Sequence, residues 1–161
     1  MTALLRSALA GAATGGRAFT GVAALTLATP SRPLTQPDQL LSKRWVKGLA
    51  ALLAVQELAL DKLPQAPSRL SLPGLGMRCV SAAAAGLIIA RRSPEDGLPG
   101  PEDGAAGAVA CAAVATAAAV GTSWLGTRWR GWAADRTGRD YIGAGLEDTL
   151  TVSLAALSLR V

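Results

Sequence analysis

GAAGAVACAAVATAAAVGTSWLG, residues Gly104 to Gly126, is the stretch on which the fold class turns. Its 23 residues carry no charge, and ten of those between Ala105 and Ala119 are alanine. A helix of that length covers the roughly 30 Å hydrocarbon core of a bilayer. Small side chains along it let neighbouring backbones approach closely, which is how helices pack where lipid supplies no hydrophobic drive. The spacing therefore predicts a membrane helix in close contact with others rather than a smooth helix facing lipid.

Working outward, the charged stretch Thr127 to Asp140 reads as a loop. Tyr141 to Leu159 reads as a further span that carries Glu147 and Asp148. On the other side, Ser93 to Gly104 repeats Pro-Glu-Asp-Gly and has the composition of a solvated linker, about residues 93–103. Leu75 to Ala90 is apolar except for Arg78, and its 16 residues give only about 24 Å of helix, which suits a short or re-entrant segment. Pro64, Pro67 and Pro73 make a stiff loop before it. Gly48 to Leu63 is a further span, with Asp38 as a helix start before Lys43, Arg44 and Lys47. Ser7 to Ala28 is the first, broken near its middle by Gly15-Gly16-Arg17. That break and the weak exit at Thr26-Leu27-Ala28 favour a retained helix over a cleaved signal.

Composition agrees. Half of the 161 residues are apolar, 17% are charged and 4% are aromatic. Five spans of roughly 20 residues would use about 100 of them, leaving no sizeable soluble domain. The expectation is an all-α polytopic membrane protein of four to five transmembrane helices, one integral membrane domain over residues 1–161, in a cell membrane. The lipid bilayer is its first partner, and Ala/Gly faces suit a homo-oligomer.

Several chemistries are excluded or disfavoured. The chain has no His and no Asn, which removes His-dependent triads, His-ligated metal sites and Asn-linked glycosylation. No cofactor or metal is expected, and an enzyme is disfavoured because only acids and Tyr141 remain as acid-base groups. The net charge of +5 comes from 13 Arg and 3 Lys dispersed along the chain, a pattern of membrane loops rather than of nucleic-acid binding. With five crossings, eight basic residues fall on the N-terminal side and seven on the other, so loop charge does not choose an orientation. Cys79 and Cys111 lie in apolar runs and read as free buried thiols. The four Trp and Tyr141 sit at expected helix ends, where aromatic rings anchor to the interface.

Charges inside spans are costly enough to imply a role. Arg17, Glu57, Asp61, Lys62, Glu147 and Asp148 are the candidates for an ion pair network or an ion pathway. Glu57 and Asp61 share one helix face, with Lys62 beside them. Glu147 and Asp148 are about 100° apart and point differently. In a five-span scheme, Glu57 and Glu147 lie roughly 9 Å below the same interface and Arg17 about 15 Å down, with Glu57 as its expected partner. The same scheme gives the first two and last two segments opposite orientation, as in transporters built from inverted repeats, whose helices are often broken at glycine. Two readings follow. The cluster is a structural ion-pair network, or it supports proton- or cation-linked transport of an ion whose identity is unknown, since paired carboxylates can share a proton and exchange it for a cation.

The chain resembles an uncharacterised family of small bacterial membrane proteins, domain of unknown function 4126. The resemblance is carried by Gly16-Arg17-Ala18-Phe19-Thr20, by Glu57-Leu58-Ala59-Leu60-Asp61-Lys62-Leu63-Pro64 running into Pro67-Ser68-Arg69, and by Gly145-Leu146-Glu147-Asp148. It covers nearly the whole chain and implies a multispan protein, with no assigned reaction, cofactor or ligand. A fainter similarity is to cation/proton exchangers whose repeats carry Glu-x-Gly-Asp-Lys/Arg-Ser/Thr. Here Glu57 precedes Asp61-Lys62 with one extra residue and without the glycine and hydroxyl, so that similarity implies only a preference for cations.

Overall fold

A computed structural model of the protein describes residues 2–31, 38–60, 71–92, 104–137 and 140–159. Among these the secondary structure is helical, without strands. The elements are α1 (Ala3–Gly16), α2 (Thr20–Leu27), α3 (Asp38–Leu41), α4 (Arg44–Leu60), α5 (Leu72–Arg92), α6 (Gly104–Thr137) and α7 (Asp140–Ser158). The all-α expectation holds. By length and hydropathy, two of these helices, α5 and the Gly104–Ala133 part of α6, are suited to cross a membrane. The candidate residues Asp61 and Lys62 and the linker at 93–103 lie outside the described residues.

Three local expectations change. The third segment is not short: Pro73 stands in the first turn of α5, where a missing N–H costs nothing, so the helix starts at Leu72 and runs for 21 residues, about 31 Å. The stretch after Gly126 is not a loop, since α6 continues to Thr137. The Trp and Arg residues there are adequate helix formers, and neither Pro nor a local break intervenes. The first segment is not one continuous helix. Thr2 caps α1 by accepting from the Leu5 N–H at 3.3 Å. After Gly16 the chain leaves the helix, with Arg17 extended at φ −142° and ψ 117°. Then α2 folds back along α1: a Cβ added to Gly21 would lie 2.6 Å from the carbonyl oxygen of Ala10, well back from the end of α1 at Gly16.

This hairpin reverses the topology expected from counting spans. Gly11 faces Ala115 and Gly15 faces Ala119, so α1 and α6 run parallel. Gly86 lies on Cys111 while Ala82 clusters with Ala115 and Ala119, so α5 is antiparallel to α6. Arg6 reaches the Ser158 carbonyl at 3.2 Å and Gly16 meets Thr151, so α7 is antiparallel to α1. Lys47 of α4 bonds the carbonyls at the end of α2 and Glu57 its beginning, making α4 parallel to α1. From α4 to α7 the helices thus alternate in direction. The first and fourth segments point the same way, and the inverted relation between the two ends of the chain is absent. The physical reason is that α1 and α2 spend one apolar stretch on a return trip.

At the centre stands α1, in contact with α2, α5, α6 and α7, whereas α4 rests on α2 and α3. The core is built of small residues. Ala3, Ala10, Ala82, Ala85, Cys111, Ala115 and Ala119 are fully buried, and Leu25 and Ile89 are the large apolar side chains among the fully buried. A Cβ on Gly11 would lie 2.6 Å from the Ala115 Cα, and one on Gly15 3.0 Å from the Ala119 carbonyl carbon. Gly11-x-x-x-Gly15 therefore lets the backbone of α1 touch that of α6 at an Ala-x-x-x-Ala partner. The buried Thr14 and Thr29 hydroxyls donate to carbonyls four residues back, Ala10 O at 2.8 Å and Leu25 O at 2.9 Å.

Large apolar side chains point outward instead: Leu52 is 60% exposed, Val80 68%, Val109 65% and Leu150 63%. Only 28% of the apolar window of α6 is buried. Its buried ladder is Gly107, Cys111, Ala115, Ala119 and Ser123, while Ala113 and Ala117 are exposed. We expect Ala115→Leu to lower the midpoint of unfolding in mild detergent, by about 1–3 kcal/mol of overpacking, and Ala113→Leu to leave it unchanged. Equal midpoints for the two variants would contradict this placement of α6.

A charged site at the hairpin tip

The break between α1 and α2 exposes two sets of backbone groups, the last carbonyls of one helix and the first N–H groups of the next. Each finds a partner from elsewhere in the chain. Thr122 donates to the Ala12 carbonyl at 3.1 Å and Ser123 to that of Gly15 at 3.0 Å. Glu57, projected by α4, accepts from the Ala18 N–H at 2.6 Å and the Phe19 N–H at 3.0 Å, one with each carboxylate oxygen. These N–H groups lie in the turn that leads into α2, so the carboxylate meets their hydrogen-bonding need and sits at the positive end of the α2 dipole.

The other end of α2 shows the complementary charge. Lys47, ten residues before Glu57 on α4, donates to the Leu27 and Thr29 carbonyls. Arg92 at the end of α5 donates to the Leu25 carbonyl at 3.2 Å and to the Thr29 hydroxyl at 2.5 Å. It also bonds Asp38 through two nitrogens, at 2.9 and 2.7 Å. With an anion on the turn before its start and cations at its last carbonyls, α2 is held in register by α4 and α5 through charge.

Arg17 is 3% exposed and donates to Asp148 of α7 from Nε, at 3.0 Å, and from Nη2. Its Nη1 lies 3.5 Å from the backbone carbonyl of Glu57. The expected Arg17–Glu57 carboxylate pair is replaced by Arg17–Asp148, because the Glu57 carboxylate is engaged by the two N–H groups and by Arg78 at 3.8 Å. The neighbouring Glu147 diverges as helical geometry requires and pairs with Arg130 of α6 at 2.9 Å. Gly15 bonds Ser123, so Arg17 lies at about the level of Trp124, where the apolar part of α6 ends.

The structure thus brings together Arg17, Glu57, Glu147 and Asp148 of the sequence candidates, and adds Arg78 and Arg130. Arg78 was legible as a lone cation in an apolar stretch. Arg130 was not, since it lay in what reads as a loop. The described cluster balances three guanidinium groups against three carboxylates, and each carboxylate has donors within reach. Among the described residues no group of three His, Cys, Asp or Glu side chains converges as a metal would require. No family model, curated protein or solved structure matches the chain, so the geometry is its principal guide.

Proposed function

We propose that this is a multi-pass integral membrane protein of the bacterial cytoplasmic membrane, with α4 to α7 crossing and the α1–α2 hairpin re-entrant between them. Its charged cluster is a structural ion-pair network that holds the hairpin tip in place. The inverted distribution of side chains supports the membrane reading: buried Arg6, Arg17, Arg78 and Glu147 inside, exposed Leu, Val and Trp outside. Only 39% of the apolar window of α5 and 28% of that of α6 are buried, unlike helices at the core of a soluble protein. Among the described residues, each carboxylate of the cluster has hydrogen-bond donors, which supports the structural reading over a pathway.

A second reading, proton- or cation-linked transport, has one observation in its favour. Discontinuous helices with charged residues at the break are how several transporters build an ion site. Reconstitution separates the two. The network reading expects vesicles with no ion-driven flux for mono- or divalent cations, and a Glu57→Gln protein that is less stable. Cation uptake abolished by Glu57→Gln, with the fold intact, would establish transport instead. The membrane reading is tested separately: the protein should stay with the membrane pellet after alkaline carbonate washing, and release into the supernatant would refute it.

A further inference from the structure

The last four turns of α6 carry a side-chain ladder that the network does not use. Trp124, Arg128, Trp132 and Arg136 follow one another at four-residue steps and so share one face. The Arg128 guanidinium lies 4.3 Å from the centre of the Trp124 ring, and that of Arg136 5.1 Å from the centre of Trp132. Trp132 also stacks on Trp129, with ring centres 5.1 Å apart. All of these residues are exposed, Trp124 at 46% and Trp132 at 50%. Unlike Arg130, which is held by Glu147, neither Arg128 nor Arg136 forms an ion pair with a described residue.

A guanidinium lying against an indole face keeps its edge free, and that edge is the fork that matches two oxygens of a phosphate. Position then distinguishes the two rungs. From Gly104 to Trp124 the helix rises about 30 Å, the thickness of a hydrocarbon core, so Trp124 falls at its boundary. Arg128, one turn further, falls in the headgroup layer about 6 Å beyond. Arg136 is about 18 Å beyond Trp124, past the few ångströms that headgroups occupy on one side.

We propose that the Trp124–Arg128 rung is a binding site for the phosphodiester of an anionic lipid headgroup, with the indole at the acyl boundary and the guanidinium on the phosphate. The Trp132–Arg136 rung has the same chemistry but lies beyond the lipid and does not take part. The site rests on the membrane reading given above, and its test differs from carbonate extraction.

The full-length protein, purified in mild detergent, is titrated with phosphatidylglycerol and bound lipid is counted by native mass spectrometry. Phosphatidylcholine, glycerol 3-phosphate and a single-stranded oligonucleotide serve as comparison probes. Arg128→Gln should weaken phosphatidylglycerol binding about fivefold, the effect of one basic residue at an anionic interface. Arg136→Gln should leave it unchanged, and phosphatidylcholine should bind weakly to all three proteins. Circular dichroism and elution volume confirm that the variants are folded, as substitution of exposed side chains allows. Equal lipid binding by the parent and Arg128→Gln overturns the proposal, as does an equal loss in Arg136→Gln. Displacement of the lipid by glycerol 3-phosphate would assign the rung to a soluble phosphate. Oligonucleotide binding that falls in both variants would assign the ladder to nucleic acid.

Discussion

Replacing Gly11 with alanine is expected to disrupt the fold severely. The added carbon would lie 2.6 Å from the Cα of Ala115, and what stands there is backbone, so no side-chain rotation relieves the overlap. α1 must move off α6, and because α1 touches four other helices the shift spreads through the bundle. A loss of about 3 kcal/mol or more is expected, at or beyond the upper end of overpacking effects. Gly121→Ala on α6 is the matched control. Nothing lies within 4 Å of a Cβ there, so the change should be neutral or stabilise by up to about 1 kcal/mol through helix propensity. Unfolding in mild detergent, followed by circular dichroism, measures both, and equal midpoints for the two variants would remove the close α1–α6 contact from the fold.

The second large effect lies at the hairpin tip. Asp148→Ala takes a carboxylate away from a guanidinium that is 3% exposed, and a loss of about 3 kcal/mol is expected from breaking such a pair. Arg17→Ala should cost less through charge, because Asp148 is 25% exposed and water can reach it. The double replacement should cost less than the two singles together, by about 1–3 kcal/mol of coupling. Arg17→Lys separates charge from geometry. An ammonium keeps the charge but cannot donate from two nitrogens of a planar fork to Asp148, so only part of the stability should return. Additive single effects in this cycle would mean that Arg17 and Asp148 do not act as a pair.

Much of the helical layout was legible in the residues. The uncharged run from Gly104, the break at Gly15-Gly16-Arg17 and the diverging pair Glu147-Asp148 each depend on local properties: side-chain polarity, glycine's weak helix preference and the 100° step of a helix. The destinations of the charges were less so. Glu57 was singled out as a partner for Arg17, but nothing near Glu57 in the chain says that two N–H groups of the α1–α2 turn would claim its carboxylate. The extension of α6 past Gly126 was hidden by its charges, which mark solvent without saying whether the backbone there is helical. The contact of Gly11 and Gly15 with Ala115 and Ala119 joins residues about a hundred apart in the chain, which no local property reveals.

The sequence by itself determined that this chain is helical, that its helices pack through small residues, and which charges lie within apolar stretches, because these follow from composition and spacing. Only the tertiary structure decided that the first apolar stretch returns to the end it started from. A span and a hairpin of two short helices have the same length and polarity, and the choice between them is made by contacts: Gly21 on Ala10, Glu57 at one end of α2, and Lys47 with Arg92 at the other. That choice sets the direction of α1 relative to every helix that follows. It also carries Arg17 to the level of Trp124, where α7 presents Asp148 to meet it.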